Sequence, residues 1–125
     1  MTITKRAILD LEAEINDILE EDCAEVKFTF HAAYERLNDP RNNPAISLNE
    51  LEDVFKEFIK IHLTTLLSYP EGTTFTIKCN KTKLHFPCSV VHDLRNGKKW
   101  IVQSVVTVMR KADFKSKDPI ILEIN

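Results

Sequence analysis

Residues 84–105 read LHFPCSVVHDLR, then Asn96-Gly97, then KKWIVQSV. Leu84, Phe86, Cys88 and Val90 alternate with His85, Ser89 and Val91, the period of a strand with one face buried. Asn-Gly between two such runs is the strongest short-range hairpin signal, because a type I′ turn needs positive φ at both central residues. Trp100 to Met109 is then the partner strand. Pro87 lacks an N–H and marks an edge or a bulge. Working toward the N-terminus, Phe75, Ile77 and Cys79 alternate with Thr74, Thr76 and Lys78. Toward the C-terminus, PIILEI at 119–124 is a last strand. Strands following one another in this way predict a four-stranded antiparallel meander over 73–125.

Upstream of Thr73 the apolar period changes from two to between three and four. Ser47 and Glu50 form a capping box ahead of Leu51, Val54, Phe55, Phe58, Ile59, His62 and Leu66. This predicts a helix over 48–67, ending before Tyr69-Pro70-Glu71-Gly72. Ile8, Leu11, Ile15, Ile18 and Leu19 make one stripe of an amphipathic helix over 4–21, with Thr2 or Thr4 as its N-cap and an acidic outer face. Val26 to Phe30 alternates at period two, and reads either as a short strand or as the lead-in to a helix capped at Thr29. Residues 30–38 read as a short helix that stops before Asp39-Pro40, and 39–44 as loop. The predicted architecture is α+β: one domain over 1–125, N-terminal helices (28–67 being helical) packed on the four-stranded meander. The other sheet face is left open.

Composition narrows the function classes. With 125 residues, 43% hydrophobic and seven Phe, the chain is a packed domain rather than a disordered one. No apolar stretch approaches about 18 residues and no signal-peptide core opens the chain, so no membrane and a cytoplasmic location are expected. Cys23, Cys79 and Cys88 show no CxxC spacing and read as reduced thiols. Histidine and cysteine spacing suits no metal, and the absence of a Gly-rich phosphate loop, a G-x-S-x-G elbow or H-E-x-x-H gives no cofactor to expect. The near-neutral total of −2 hides a split. Residues 1–25 carry eight acids against Lys5 and Arg6, whereas residues 72–125 carry ten Lys or Arg against four acids. A basic face made of strands is a frequent footprint of a nucleic-acid partner.

The groups able to do chemistry are few. His31 has Glu35 four residues on, on the same helix face, and Arg36 about a turn and a half away, a pattern for general acid–base work with a cation for phosphate. A helix-start histidine among surface charges has the same pattern. His85 shares strand parity with Lys81, Lys83 and Ser89, on the polar side. His62 lies on an apolar stripe and reads as a core-edge residue, and His92 beside Asp93 as a solvated loop residue. Arg110 and Lys111 close VVTVMRK, with Lys78, Lys81, Lys83, Lys98, Lys99, Lys115 and Lys117 as further phosphate contacts. Trp100 is either core or a platform for a base.

Phe30-His31, Tyr34-Glu35-Arg36, the helix opening Ile46 to Leu51 and the strand Val105 to Lys111 before Asp113-Phe114-Lys115 give the chain an order that resembles the RelE-like endoribonuclease superfamily. Within it the chain is most similar to phage RegB-type enzymes, over roughly residues 28–117. The resemblance implies metal-independent RNA cleavage by 2′-hydroxyl attack, with His31 as the first catalytic histidine and Arg36 as the family's arginine. His85 and Arg110 are the further candidates for catalysis, and Lys83, Lys98, Lys99 and Lys111 the candidates for holding RNA. It implies RNA as partner, ribosome-bound messenger included, and the host cytoplasm as location for a phage-encoded chain. The second family histidine has no counterpart, since that region reads Val54-Phe55-Lys56-Glu57-Phe58. His62 or His85 takes its place, Lys56 and Arg110 act instead, or the fold is kept for binding RNA, the ribosome or a host protein without cleavage. A third class of function is an interaction protein, a homodimer among them, that uses the acidic first helix.

Overall fold

The computed structural model describes residues 3–111 and 118–125, apart from the side chains of Ala33 and Tyr34. Thr2, Asp113, Phe114, Lys115 and Lys117, singled out above, lie outside the described residues. The order is α1 (Lys5–Leu19), a 3₁₀ turn (Glu20–Asp22), β1 (Ala24–Phe28), a π-helical turn (His31–Arg36), α2 (Leu48–Leu67), β2 (Thr74–Cys79), β3 (Leu84–Arg95), β4 (Lys98–Val105), β5 (Met109–Arg110) and β6 (Ile121–Ile124). The class is α+β, but the sheet is not a four-stranded antiparallel meander. It is mixed and six-stranded, ordered β1-β4-β3-β2-β6, with β5 also on β3.

The central hairpin forms where Asn-Gly placed it: Arg95 faces Lys98, and Asn96 and Gly97 hold φ of 51° and 79°. The departures are at the edges. β1 pairs parallel with β4, and β6 pairs parallel with β2. Among the described strands β3 alone points opposite to the other five. Between β4 and β5 the partner strand slips by one. Val105 faces Cys88 and Met109 faces His85, so four steps on one strand oppose three on the other. This is a bulge, and it sits opposite Pro87. The Pro87 carbonyl accepts from Val106 N, so the missing N–H would have pointed at the same partner.

Both helices cover one face. Ile8, Leu11, Ile15 and Leu19 of α1 are buried, while Ile18, part of the expected stripe, is 46% exposed. Leu51, Val54, Phe55, Phe58 and Leu66 of α2 are buried. Phe55 meets Phe28 and Phe86 edge-on at 5.2 and 5.1 Å, and Phe58 stacks on Phe75 at 6.1 Å, so α2 ties β1, β3 and β2 into one core. Thr4 caps α1, and Ser47 with Glu50 closes the capping box of α2. Among the described residues no helix is long and apolar enough to cross a membrane.

Side chains from the helices close the sheet edges. Asn16 Oδ1 accepts from Val26 N at 2.7 Å, its Nδ2 donates to Val26 O at 3.1 Å, and Glu12 Oε2 accepts from Phe28 N at 2.8 Å. Positions 12 and 16 of a helix thus match positions 26 and 28 of a strand. On the far edge, His62 Nε2 donates to Glu123 O of β6 at 2.7 Å. Unpaired edge groups invite strand addition, and these contacts occupy them.

Candidate nucleic-acid interface

The π turn decides how His31 meets its neighbours. With about 4.4 residues per turn, positions four and five later both fall beside the first residue. Glu35 Oε2 accordingly lies 3.4 Å from His31 Nδ1, and Arg36 Nε donates to His31 Nε2 at 2.9 Å. Both ring nitrogens face a partner. Arg36 Nη1 sits 3.7 Å from Asp39, which also takes a fork from Arg41: Nε to both carboxylate oxygens at 3.1 Å and Nη2 to Oδ2 at 2.7 Å. The Arg41 hydrogen bonds, more than any other influence, hold the Asp39 carboxyl at about 2.

Arg36 and Arg110 line one cleft of about 500 Å³, with Asp39, Arg41, Asn42, Val108, Met109 and Lys111. Arg110, however, has no N–H left for a ligand. Nε donates to Pro44 O, Nη1 to Glu50 Oε2 and Thr82 O, and Nη2 to Glu50 Oε1 and Ala45 O, at 2.6–3.2 Å. It binds the α2 N-terminus, the preceding loop and the β2–β3 turn together. Asn42 orders the other wall: its Oδ1 accepts from Arg110 N and its Nδ2 donates to Arg36 O.

His85 lies on the sheet face away from the helices, paired with Lys78 of β2 and Met109 of β5. Its parity is as predicted, but only 3% of its surface is exposed. Burial holds its pKa below the ordinary histidine value, the Lys78 charge adds to this, and a hydrogen bond with the Lys83 backbone opposes it. It does not line the cleft of Arg36. His62 and His92 bond the carbonyls of Glu123 and Tyr69, holding an edge strand and a loop.

The basic residues fall into two groups. Lys111 N donates to Lys83 O, which sets these two side by side. Lys81 and Lys83 line a second cleft, about 430 Å³, and Arg110 is the wall between it and the first. Lys98 and Lys99 are at the hairpin tip. β3 runs from Leu84, opposite Arg110, to Arg95, opposite Lys98, so roughly 36 Å or more separates them from Lys83 and Lys111. Trp100 lies near that tip with the Arg95 guanidinium 4.9 Å over its ring, and Arg95 also bonds Glu25 and Asp93 at 2.8 Å. A cleft of about 630 Å³ along α2 mixes Glu50, Asp53 and Glu57 with Lys56, Lys60 and Lys81, so it offers a polyanion no net attraction.

Arg41, Asp39 and Asn42 were not singled out from the sequence, where DPRNNP carries only a loop signal. Asp and Arg two residues apart in a proline-bounded loop was the clue available. No family model, no curated protein and no solved structure matches this chain.

Proposed function

We propose that the chain is a non-catalytic RNA-binding module that grips phosphates at the sheet end bearing Arg36, Arg41, Lys81, Lys83 and Lys111. One observation carries the reading: Lys81, Lys83 and Lys111 are exposed side by side and form no ion pair among the described residues, next to two arginines that line a cleft. Exposed cations without carboxylate partners are what counterion release on a phosphate backbone uses. Binding is favoured over cleavage by the state of the expected catalytic set. His31 has both nitrogens engaged, His85 is buried, and Arg110 has every donor in use. Among the alternatives that the RegB-type resemblance left open, this is binding without cleavage.

Titration of a fluorescent single-stranded RNA in EDTA at several salt concentrations tests the reading. Affinity should fall with salt, and each of Lys81→Gln, Lys83→Gln and Lys111→Gln should reduce the log–log slope by about 0.7. Lys98→Gln with Lys99→Gln should leave it unchanged, and the RNA should stay intact. Absence of affinity at low salt would sink the proposal, and so would cleavage abolished by His31→Ala.

A further inference from the structure

We infer that the cleft of about 500 Å³ beside β5 is a pocket for one nucleotide, taking the base as well as the phosphate of a splayed-out residue. The inference rests on the RNA-binding reading and adds to it a substrate unit. A surface that only tracks a phosphate backbone needs cations and no floor. This cleft has an apolar floor, made by Val108, 1% exposed, and the half-buried Met109. The bulge opposite Pro87 supplies both residues, since the extra residue lies between Val105 and Met109. Its volume falls within the range of pockets that hold small ligands, about 300–1,000 Å³.

The rim is built for stacking. Arg41 is three-quarters exposed, yet its guanidinium plane is fixed by the fork to Asp39. Arg36 is held at Nε by His31, and neither of its Nη groups donates a hydrogen bond among the described residues. A largely exposed guanidinium held in place by a neighbour, as Arg41 is, is a platform for a base and loses little freedom on binding. Lys111 and Arg36 Nη2 are left for the phosphate. Asp39 stays ionised down to about pH 2, so the splint on Arg41 holds across the working range.

The test compares adenosine 5′-monophosphate, guanosine 5′-monophosphate and ribose 5-phosphate by calorimetric titration of the whole chain. The single-stranded RNA is titrated in parallel, and each variant's unfolding midpoint is recorded. Nucleotide should bind roughly tenfold or more tightly than ribose 5-phosphate, the worth of one stacked base. Arg41→Lys keeps the charge but loses the plane. It should lower nucleotide affinity about tenfold and leave ribose phosphate alone, while Lys98→Gln, at the far hairpin tip, should change neither. Equal affinity for ribose phosphate, or full affinity in Arg41→Lys, overturns the nucleotide pocket and leaves RNA binding standing. RNA binding with no nucleotide binding at millimolar concentration does the same. Failure of both nucleotide and RNA to bind removes the pocket and the reading beneath it.

Discussion

Arg110 shows what a single side chain settles here. Its side chain is 8% exposed and its five N–H groups reach Pro44, Ala45, Glu50 and Thr82. Lysine has three donors and no fork, so Arg110→Lys should destabilise the fold by about 2–3 kcal/mol in urea unfolding, and Arg110→Gln by at least as much. Glu50 makes the interaction pH-dependent. The Arg110 hydrogen bonds, the largest cause, and the contacts with Ser47 lower its pKa from 4.5, against burial. A depressed carboxyl stabilises above its unfolded value, and that stability is lost as pH falls through the folded one. Wild-type stability should therefore drop as pH goes below about 4.5, and Arg110→Gln should show a shallower drop. The sequence made Arg110 legible as a cation ending a strand. It could not show the acceptors, which lie 28 to 66 positions away with no periodic relation to it. His85 is the parallel case: alternation fixes which face a side chain takes, but not what later covers that face.

At the scale of elements, α1 is the piece whose role reverses the first impression. Its polar side read as a solvated acidic face, yet Glu12 and Asn16 hold the free edge of β1. Asn16→Ala should cost about 1–3 kcal/mol, because Val26 loses partners for both its N–H and its carbonyl. Glu12 behaves differently. Burial, the largest cause, and the Glu25 charge raise its pKa, against the Phe28 N–H bond and Lys27. A raised carboxyl is a charge that the folded state disfavours at neutral pH. Glu12→Gln keeps an acceptor for Phe28 without the charge, so it should be neutral or slightly stabilising at pH 7. That advantage should vanish below about pH 4.5, whereas Glu12→Ala should destabilise at either pH. Removing residues 1–22 exposes this edge together with the core surface under Ile8, Leu11, Ile15 and Leu19. The truncated chain should fail to fold or should aggregate, which circular dichroism and sedimentation would show. The hairpin was legible because Asn-Gly names its own turn, and α2 because its capping box and stripe agree. The parallel pairings were not: β1 meets β4 across most of the chain, and no local turn signals such a partner.

Over the whole molecule the charge split becomes spatial. Asp17, Glu20, Glu21 and Asp22 form no ion pair among the described residues and gather at the α1 C-terminus, where β1 begins beside Ile101. Lys81, Lys83 and Lys111 stand at the opposite end of the strands, by the β2–β3 turn. The molecule thus has a repelling end and a receiving end, and the receiving end holds fewer of the basic residues than the linear sequence implied. The sheet topology has a further consequence, in time rather than space. β2, β3 and β4 join through short turns and can assemble from local contacts, whereas both outer pairings are parallel and close long loops. The centre should therefore form first and open last. Amide exchange in native conditions should be slowest at Val90 and Val102, whose amides face β2 and β3, and faster by about tenfold or more at Glu25 and Lys27 of β1 and at Leu122 of β6. Equal protection across the sheet would mean that its rims and its middle rise and melt as one unit.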